Sequence, residues 1–289
     1  MEAIRQFFPY QNTKVYYELT PHEDRNAPCL VLVHGFLSSM FSFRRLEPLL
    51  TQSFHVLTLD LPPFGRSGKS KRFTYSYENY GAIVNALLKE LNWTNVFGIG
   101  HSMGGQVLLN AACNQSHRFS GLVLLGCSGY LKPVRKLVLS TYVPFFSHYL
   151  KYILAKTGVK GNLYNVVYEK HSVTPEMIQG YAEPFKHPKI FPALVRFIRH
   201  REGDLSTECL NTISLPIQLL WGAHDKVVPL KTGKRLEQDL PQACLHVYED
   251  AAHLLPEEKP ADIYRQVDAF ITEVSTRLFN QNTPVGGSD

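Results

Sequence analysis

The chain has 289 residues, of which 44% are hydrophobic and 19% charged, and a formal charge of +5 at pH 7. That length supports a large core in one or two domains, and the low charged fraction excludes disorder over most of the chain. The basic residues gather loosely at Lys69, Lys71 and Arg72, at Lys132, Arg135 and Lys136, and at Arg196, Arg199 and Arg201, without a run of five. This reads as a solvated surface in preference to a nucleic-acid patch, and leaves room for weak attraction to anionic substrates or membrane surfaces.

Residues 13–19 read as a first strand and residues 22–27 as a polar turn. Residues 29–33 are continuously apolar, the pattern of a strand covered by helices on both faces, and they run into His34-Gly35-Phe36. A helix is predicted near 44–50, a strand over 55–60 and a turn-rich stretch over 61–68. A helix over 76–91 then leads to a short buried strand over 95–99. Next comes Gly100-His101-Ser102-Met103-Gly104, followed over 105–112 by apolar residues at helical spacing. A Ser between glycines on a strand-to-helix turn is held above the sheet in a strained backbone. The helix start supplies free N–H groups there.

Another buried strand covers 119–126. From Gly129 to Asn211 no comparable strand follows, only helical stretches rich in aromatic residues: Tyr142, Phe145, Phe146, Tyr149, Tyr152, Tyr164, Tyr168, Tyr181, Phe185, Phe191 and Phe197. Most of these rings are expected to fill a helical subdomain core. Substrate contacts are expected from the remainder, so the binding residues are placed among the aromatics between Gly129 and Asn211 without being singled out. Alternation resumes with a strand over 215–221, Asp225 four residues beyond it, a helix over 230–239, a strand over 244–248, His253, and a closing amphipathic helix over 260–278. Strands alternating with helices predict a mostly parallel sheet flanked by helices. The domain expectation is a core of residues 1–128 and 212–279, an inserted helical cap over 129–211 at the edge where open sheets bind ligands, and a frayed tail over 280–289.

A serine hydroxyl needs a base, and the base an orienting acid. On this kind of elbow the chain order is Ser, then Asp or Glu, then His. Ser102, Asp225 and His253 meet that order, each after its own strand. The other acid position, after the strand ending at Gly126, holds Cys127 and Ser128 and no carboxylate. The oxyanion donors are expected to be the backbone N–H groups of Met103 and Phe36. His34 and His101 are expected to hydrogen-bond to loop backbone.

The five cysteines, Cys29, Cys113, Cys127, Cys209 and Cys244, form no CxxC or Cys/His metal spacing. They are expected to be reduced and buried, in a cytoplasmic setting. Residues 1–8 lack the apolar core of a secretion signal. No run of about 18 apolar residues occurs, so no transmembrane segment is expected.

Taken together, Val33-His34-Gly35-Phe36, Asp60-Leu61-Pro62 with Gly65-Arg66-Ser67, the Gly100 to Gly105 turn, Trp221-Gly222-Ala223-His224-Asp225, and Ala252-His253 with Glu258 and Pro260 resemble the α/β-hydrolase superfamily. The likeness is to its cap-bearing, carboxylesterase-like serine hydrolases. The resemblance implies hydrolysis of a small apolar carboxylic ester through an acyl-enzyme, with neither metal nor cofactor required. Related epoxide hydrolases and dehalogenases carry Asp where this chain has Ser102. C–C bond or thioester hydrolysis by the same residues is the alternative, and a ligand receptor on this fold is a third. Pro63-Phe64 departs from the usual pattern and bears on the shape of the pocket wall.

Overall fold

The computed structural model describes residues 2–132 and 135–282. Eight strands form one sheet: β1 (Ile4–Tyr10), β2 (Thr13–Thr20), β3 (Cys29–Val33), β4 (His55–Asp60), β5 (Val96–His101), β6 (Phe119–Leu125), β7 (Ile217–Gly222) and β8 (Ala243–Tyr248). Their order across the sheet is β1-β2-β4-β3-β5-β6-β7-β8. The pairs β1–β2 and β2–β4 are antiparallel, and every other pair is parallel. The helices are α1 (Glu47–Leu50), α2 (Tyr77–Glu90), α3 (Met103–Gln115), α4 (Arg135–Ser140), α5 (Phe146–Val166), α6 (Pro175–Ala182), α7 (Ile190–His200), α8 (Thr207–Leu210), α9 (Leu230–Asp239), α10 (Leu255–Glu258) and α11 (Pro260–Asn282). Helix α5 kinks at Gly158, whose φ of 68° and ψ of 160° lie outside the helical region.

Alternation along β3 shows why its whole run is apolar. Val31 and Val33 join one core with residues of α2, α3 and α9, while Leu30 and Leu32 join the other with α1 and α11. A strand buried on both faces has no polar position to spare. The parallel register then aligns the strand ends. Val33 pairs with Gly100, His101 with Leu125, Leu125 with Leu220, and Gly222 with Tyr248. The loops carrying Phe36, Ser102, Gly126, Asp225 and His253 therefore leave the same edge of the sheet.

The structure departs from the sequence expectations at several points. Strand β1 has no counterpart among them: most of its side chains are exposed, and so it carries no clear apolar alternation. It turns back onto β2 through Gln11, whose φ is 45°. The helix expected near 44–50 is only the short α1, which begins at Glu47 with Pro48 in its first turn, preceded by a 3₁₀ turn (Met40–Phe43). Residues 280–282 of the expected tail belong to α11, and residues 283–289 lie outside the described residues.

All five cysteines are free, but only Cys127 is buried. Cys113 sits on the outer face of α3, and Cys244 on edge strand β8; both are exposed.

Helices α4 to α8 occupy the segment between β6 and β7, and no strand occurs there among the described residues. The segment's aromatic rings do not mostly fill a core. Tyr181 and Phe197 are buried, whereas Tyr142, Phe145, Tyr149, Tyr152 and Tyr168 are exposed. Ile190, Leu194 and Phe197 of α7 extend the main core, and Leu163, Met177 and Tyr181 pack with Leu254, next to His253.

Candidate active site

Ser102 stands between β5 and α3 with φ 53° and ψ −117°, an unfavourable conformation for a residue with a Cβ. The neighbouring glycines make the turn sterically possible. A Cβ on Gly104 would lie 2.0 Å from the Val33 carbonyl oxygen, and one on Gly100 would lie 2.6 Å from Gly105. The Ser102 N–H donates to Leu125 O at 2.9 Å, and its carbonyl accepts from Gly105 N and Ser128 N, both at 3.1 Å. Its backbone is thus held from β6 and from α3. Its side chain makes no capping hydrogen bond, which leaves the hydroxyl available.

The structure brings Asp225 and His253 together. Asp225 Oδ2 lies 2.7 Å from His253 Nδ1, and both side chains are buried. The other carboxylate oxygen, Oδ1, accepts from Val227 N and Val228 N at 2.8 Å each. Those two amides fix the rotamer of Asp225, and its second oxygen is thereby aimed at the imidazole. With Nδ1 engaged as donor, Nε2 is the basic nitrogen. Ser102 Oγ forms no hydrogen bond to His253 among the described residues; such contacts commonly tighten only when substrate is bound.

Gly126, with φ 50°, links the three. It follows Leu125, the acceptor of the Ser102 N–H, and a Cβ there would meet Asp225 Oδ2 at 3.1 Å and His253 Nδ1 at 3.4 Å. A glycine closing a buried strand was the available sequence signal, but nothing local ties it to Asp225 or His253.

His34 and His101 do engage backbone. His34 Nε2 accepts from Leu61 N at 3.0 Å, so Nδ1 carries the proton directed at Gly35 O, 2.8 Å away. His101 Nε2 is 2.8 Å from the carbonyl oxygen of His253, and its ring centroid is 4.9 Å from that of His253. Burial, reinforced by neighbouring His253, pushes the His101 pKa down to about 3. His101 is therefore a neutral Nε2–H donor that supports the His253 loop.

Of the two expected oxyanion donors, Met103 opens α3, where an N–H has no intrahelical acceptor. Phe36 lies in the loop after β3, and a Cβ on adjacent Gly35 would sit 3.2 Å from Ser102 Cβ. Neither amide donates to a protein acceptor among the described residues. The Phe36 ring stacks on Phe197 of the insert at 5.1 Å and meets Phe64 edge-on at 5.8 Å. An apolar wall thus stands beside the Phe36 amide.

The aromatics between Gly129 and Asn211, from which substrate contacts are expected, divide accordingly. Phe197 reaches the Phe36 wall, whereas Tyr142, Phe145, Tyr149 and Tyr152 are exposed along the segment of α4 and α5. The two residues expected to bound the insert have structural places. Gly129 is buried, and a Cβ there would meet Thr232 at 3.1 Å and Leu236 at 3.4 Å, so it lets the chain leave the sheet beside α9. Asn211 is exposed and ends α8, its N–H donating to Thr207 O at 2.9 Å. Neither forms a hydrogen bond with Asp225 or His253 among the described residues.

Three further residues hold the site; sequence reasoning noted Glu258 only as part of the resemblance, without a role, and did not single out Val166 or Asp204. Val166 O accepts from His253 N and Leu254 N at 3.0 and 3.1 Å. Glu258 accepts from Tyr168 N at 2.7 Å and from Ala252 N at 3.2 Å. The strand end after β6, empty of carboxylates in sequence, receives Asp204 from the insert. Asp204 Oδ2 accepts from Ser128 Oγ at 2.8 Å and from Leu131 N at 3.0 Å. It is spent on that neck and has no bond to His253 among the described residues.

A cleft of about 1650 Å³ opens where Asp60, Arg66 and Lys69 face Glu176, Lys186 and Lys189. Ser102, Asp225 and His253 do not line it. Among the described residues no group of three or more His, Cys, Asp or Glu side chains is placed to hold a metal ion. No described helix is long and apolar enough to cross a membrane.

A family model described as the alpha/beta hydrolase fold matches residues 28–260. The chain belongs to the α/β-hydrolase family. It is 45% identical over 274 residues to an uncharacterized hydrolase, YugF, of Bacillus subtilis (strain 168), covering 94% of this chain and 100% of that protein. The meta-cleavage product hydrolase of Pseudomonas fluorescens IP01 superposes with a TM-score of 0.75 at 20% identity, covering 90% of this chain and 95% of that one. An esterase from Exiguobacterium antarcticum does so with a TM-score of 0.73 at 19% identity, covering 90% and 96%. At such identities these two likenesses concern the fold.

Proposed function

We propose that this hydrolase cleaves small carboxylic esters with an apolar acyl or alcohol part, through an acyl-enzyme on Ser102. The observation that carries the reading is the buried 2.7 Å Asp225–His253 bond at the strand edge that also bears strained Ser102. In this reading His253 Nε2 takes the Ser102 proton as Oγ attacks the carbonyl carbon. The Phe36 and Met103 amides donate to the developing oxyanion. Asp225 keeps the His253 tautomer and stabilises the imidazolium. The protonated imidazole delivers its proton to the leaving alcohol, and water, activated by His253, releases the acid. The Phe36–Phe64–Phe197 wall supports an apolar group beside the oxyanion. Residues 129–211 act as a cap on a core of residues 1–128 and 212–279. The free cysteines suit a cytoplasmic, reducing setting.

A second reading, C–C bond or thioester hydrolysis with the same residues, draws on the likeness to the meta-cleavage product hydrolase. The test is steady-state turnover on p-nitrophenyl esters of graded acyl length, matched thioesters and a vinylogous 1,5-diketone. The ester reading expects multiple turnover and best kcat/KM on an ester, with loss of that turnover in Ser102→Ala. Preference for the diketone selects the second reading. A single stoichiometric burst selects a receptor.

A further inference from the structure

The turn between α4 and α5 presents a surface that ester hydrolysis does not use. Phe145 occupies that turn at φ 62°, the left-handed region that bulky side chains avoid, and is 79% exposed. Leu139, Tyr142 and Val143 beside it are exposed as well. On the first turns of α5, Tyr149 (57% exposed) and Tyr152 (64%) recur with Lys156 at i, i+3 and i+7, which is one helix face. A contiguous exposed apolar patch of this kind marks a contact surface, unlike single scattered hydrophobes.

Between residues 132 and 160 the charge has one sign, and the nearest acid on a packed helix is Glu176 of α6. No Asp or Glu occurs between Leu91 and Tyr168, while Lys132, Arg135, Lys136, Lys151, Lys156 and Lys160 fall within 132–160. Helix α7, against which α4 and α5 pack, adds Arg196 and Arg199 and no acid. Arg199 lies over the Tyr142 ring at 4.2 Å.

These two properties together select the occupant. A second copy of the chain meeting this face symmetrically would set cation against cation. An anionic bilayer accepts both halves: lipid headgroups take the lysines, and the boundary with the acyl chains takes Leu, Phe and Tyr side chains. We propose that the segment spanning α4, the turn after it and the first turns of α5 is a docking surface for anionic phospholipid membranes. The first turns of α5, which would lie on the membrane, are separated by the Gly158 kink from Val166, whose carbonyl oxygen accepts from His253 N. The proposal stands on exposure and charge, independently of what Ser102 does.

Co-sedimentation of the full chain with vesicles of phosphatidylcholine, and of phosphatidylcholine mixed with phosphatidylglycerol, tests it. Binding is expected to favour the mixed vesicles by about tenfold or more and to weaken in high salt. Lys136→Gln and Lys156→Gln should each lower that binding by about fivefold. Phe145→Ser combined with Tyr149→Ser should lower it further. Melting temperatures should hold, since these side chains are exposed. Equal partition into neutral and anionic vesicles, partition into neither, or variants that bind like the parent would overturn the proposal. So would a solution dimer that Phe145→Ser dissociates, because a second copy would then cover the face.

Discussion

The backbone N–H of His253 donates to the carbonyl oxygen of Val166, the last residue of α5, at 3.0 Å. The insert therefore grips the base of the site through main chain, where no side-chain substitution removes the contact. Glu258 adds a side-chain clasp between the same two segments, accepting from Tyr168 N and Ala252 N. Removing its carboxylate strands two amides. Glu258→Ala is expected to cost about 1–2 kcal/mol and lower Tm by a few degrees, with kcat falling more than KM changes. Glu258→Gln keeps one acceptor oxygen and should recover part of both losses. Thermal melts and ester kinetics on the pair check this; an unchanged kcat in the alanine variant would assign Glu258 to stability alone.

The amides of Val227 and Val228 hold Asp225 so that Oδ2 faces His253. Asn in its place can present an N–H toward Nδ1 and so favour the wrong tautomer. Asp225→Asn is expected to reduce kcat by about 10⁴, the loss found for the corresponding change in the best-studied triad, with little effect on Tm. Steady-state kinetics decide, and a loss below about tenfold would point to another acid.

At Gly126 two costs coincide: φ is 50°, and the added methyl would meet the Asp225–His253 pair. Gly126→Ala is expected to destabilise by about 1–3 kcal/mol and to lower kcat, because relief comes by shifting Asp225 Oδ2 or the imidazole. Urea denaturation measures the first effect and initial rates the second. Loss of stability with full activity would show that the backbone alone yields.

Ser102 holds its strain for the sake of its hydroxyl. Glycine tolerates this conformation, so Ser102→Gly is expected to raise stability by about 1 kcal/mol while hydrolysis disappears. Comparison of its denaturation midpoint with that of Ser102→Ala, which keeps the Cβ, isolates the backbone contribution. Equal midpoints would argue that the elbow carries no strain.

Glu257 gives a pH dependence whose sign follows from its burial. It sits beneath the His253 loop, 2.9 Å from Arg44. Burial pushes its pKa up from 4.5 to about 7, against the pull of Arg44 and Arg45. Between these values the folded chain binds a proton that the unfolded chain does not. The stability this group contributes is thus fully present below about 4.5 and lost as pH rises through 7. The stability of the parent relative to Glu257→Gln should therefore increase by up to about 3 kcal/mol from pH 8 to pH 5. Chemical denaturation at the two pH values checks it; a constant difference would mean that Glu257 stays ionised beside Arg44.

Much of this architecture was legible in the sequence because burial on two faces leaves an unmistakable apolar run, as at residues 29–33. The Ser102 turn was legible because its steric demand selects glycine at 100 and 104. What escaped had no such selection behind it. Strand β1 is mostly exposed and owes its place to backbone pairing with β2. The grip of Val166 on His253 uses a carbonyl that any residue would supply. Asp204 reaches Ser128 across 76 positions, a distance no local pattern encodes. The exposed rings of α5 and of the turn before it looked like core material because hydrophobicity alone does not say whether a partner helix lies within reach.

The neck of the insert has a wider consequence. Asp204 N–H donates to Leu131 O at 2.8 Å, and Leu131 N–H donates to Asp204 Oδ2, so chain ends 73 positions apart meet at one point. The chain leaves and re-enters the core through that clasp, while Val166 and Phe197 tie the helices between its ends to the His253 loop and to Phe36. Length, composition and surface chemistry can drift there without altering the distance the sheet must span. Changes of length that fall between the clasp and the Val166 contact leave both the neck and the His253 loop in place, so the segment can vary there without disturbing the strand edge.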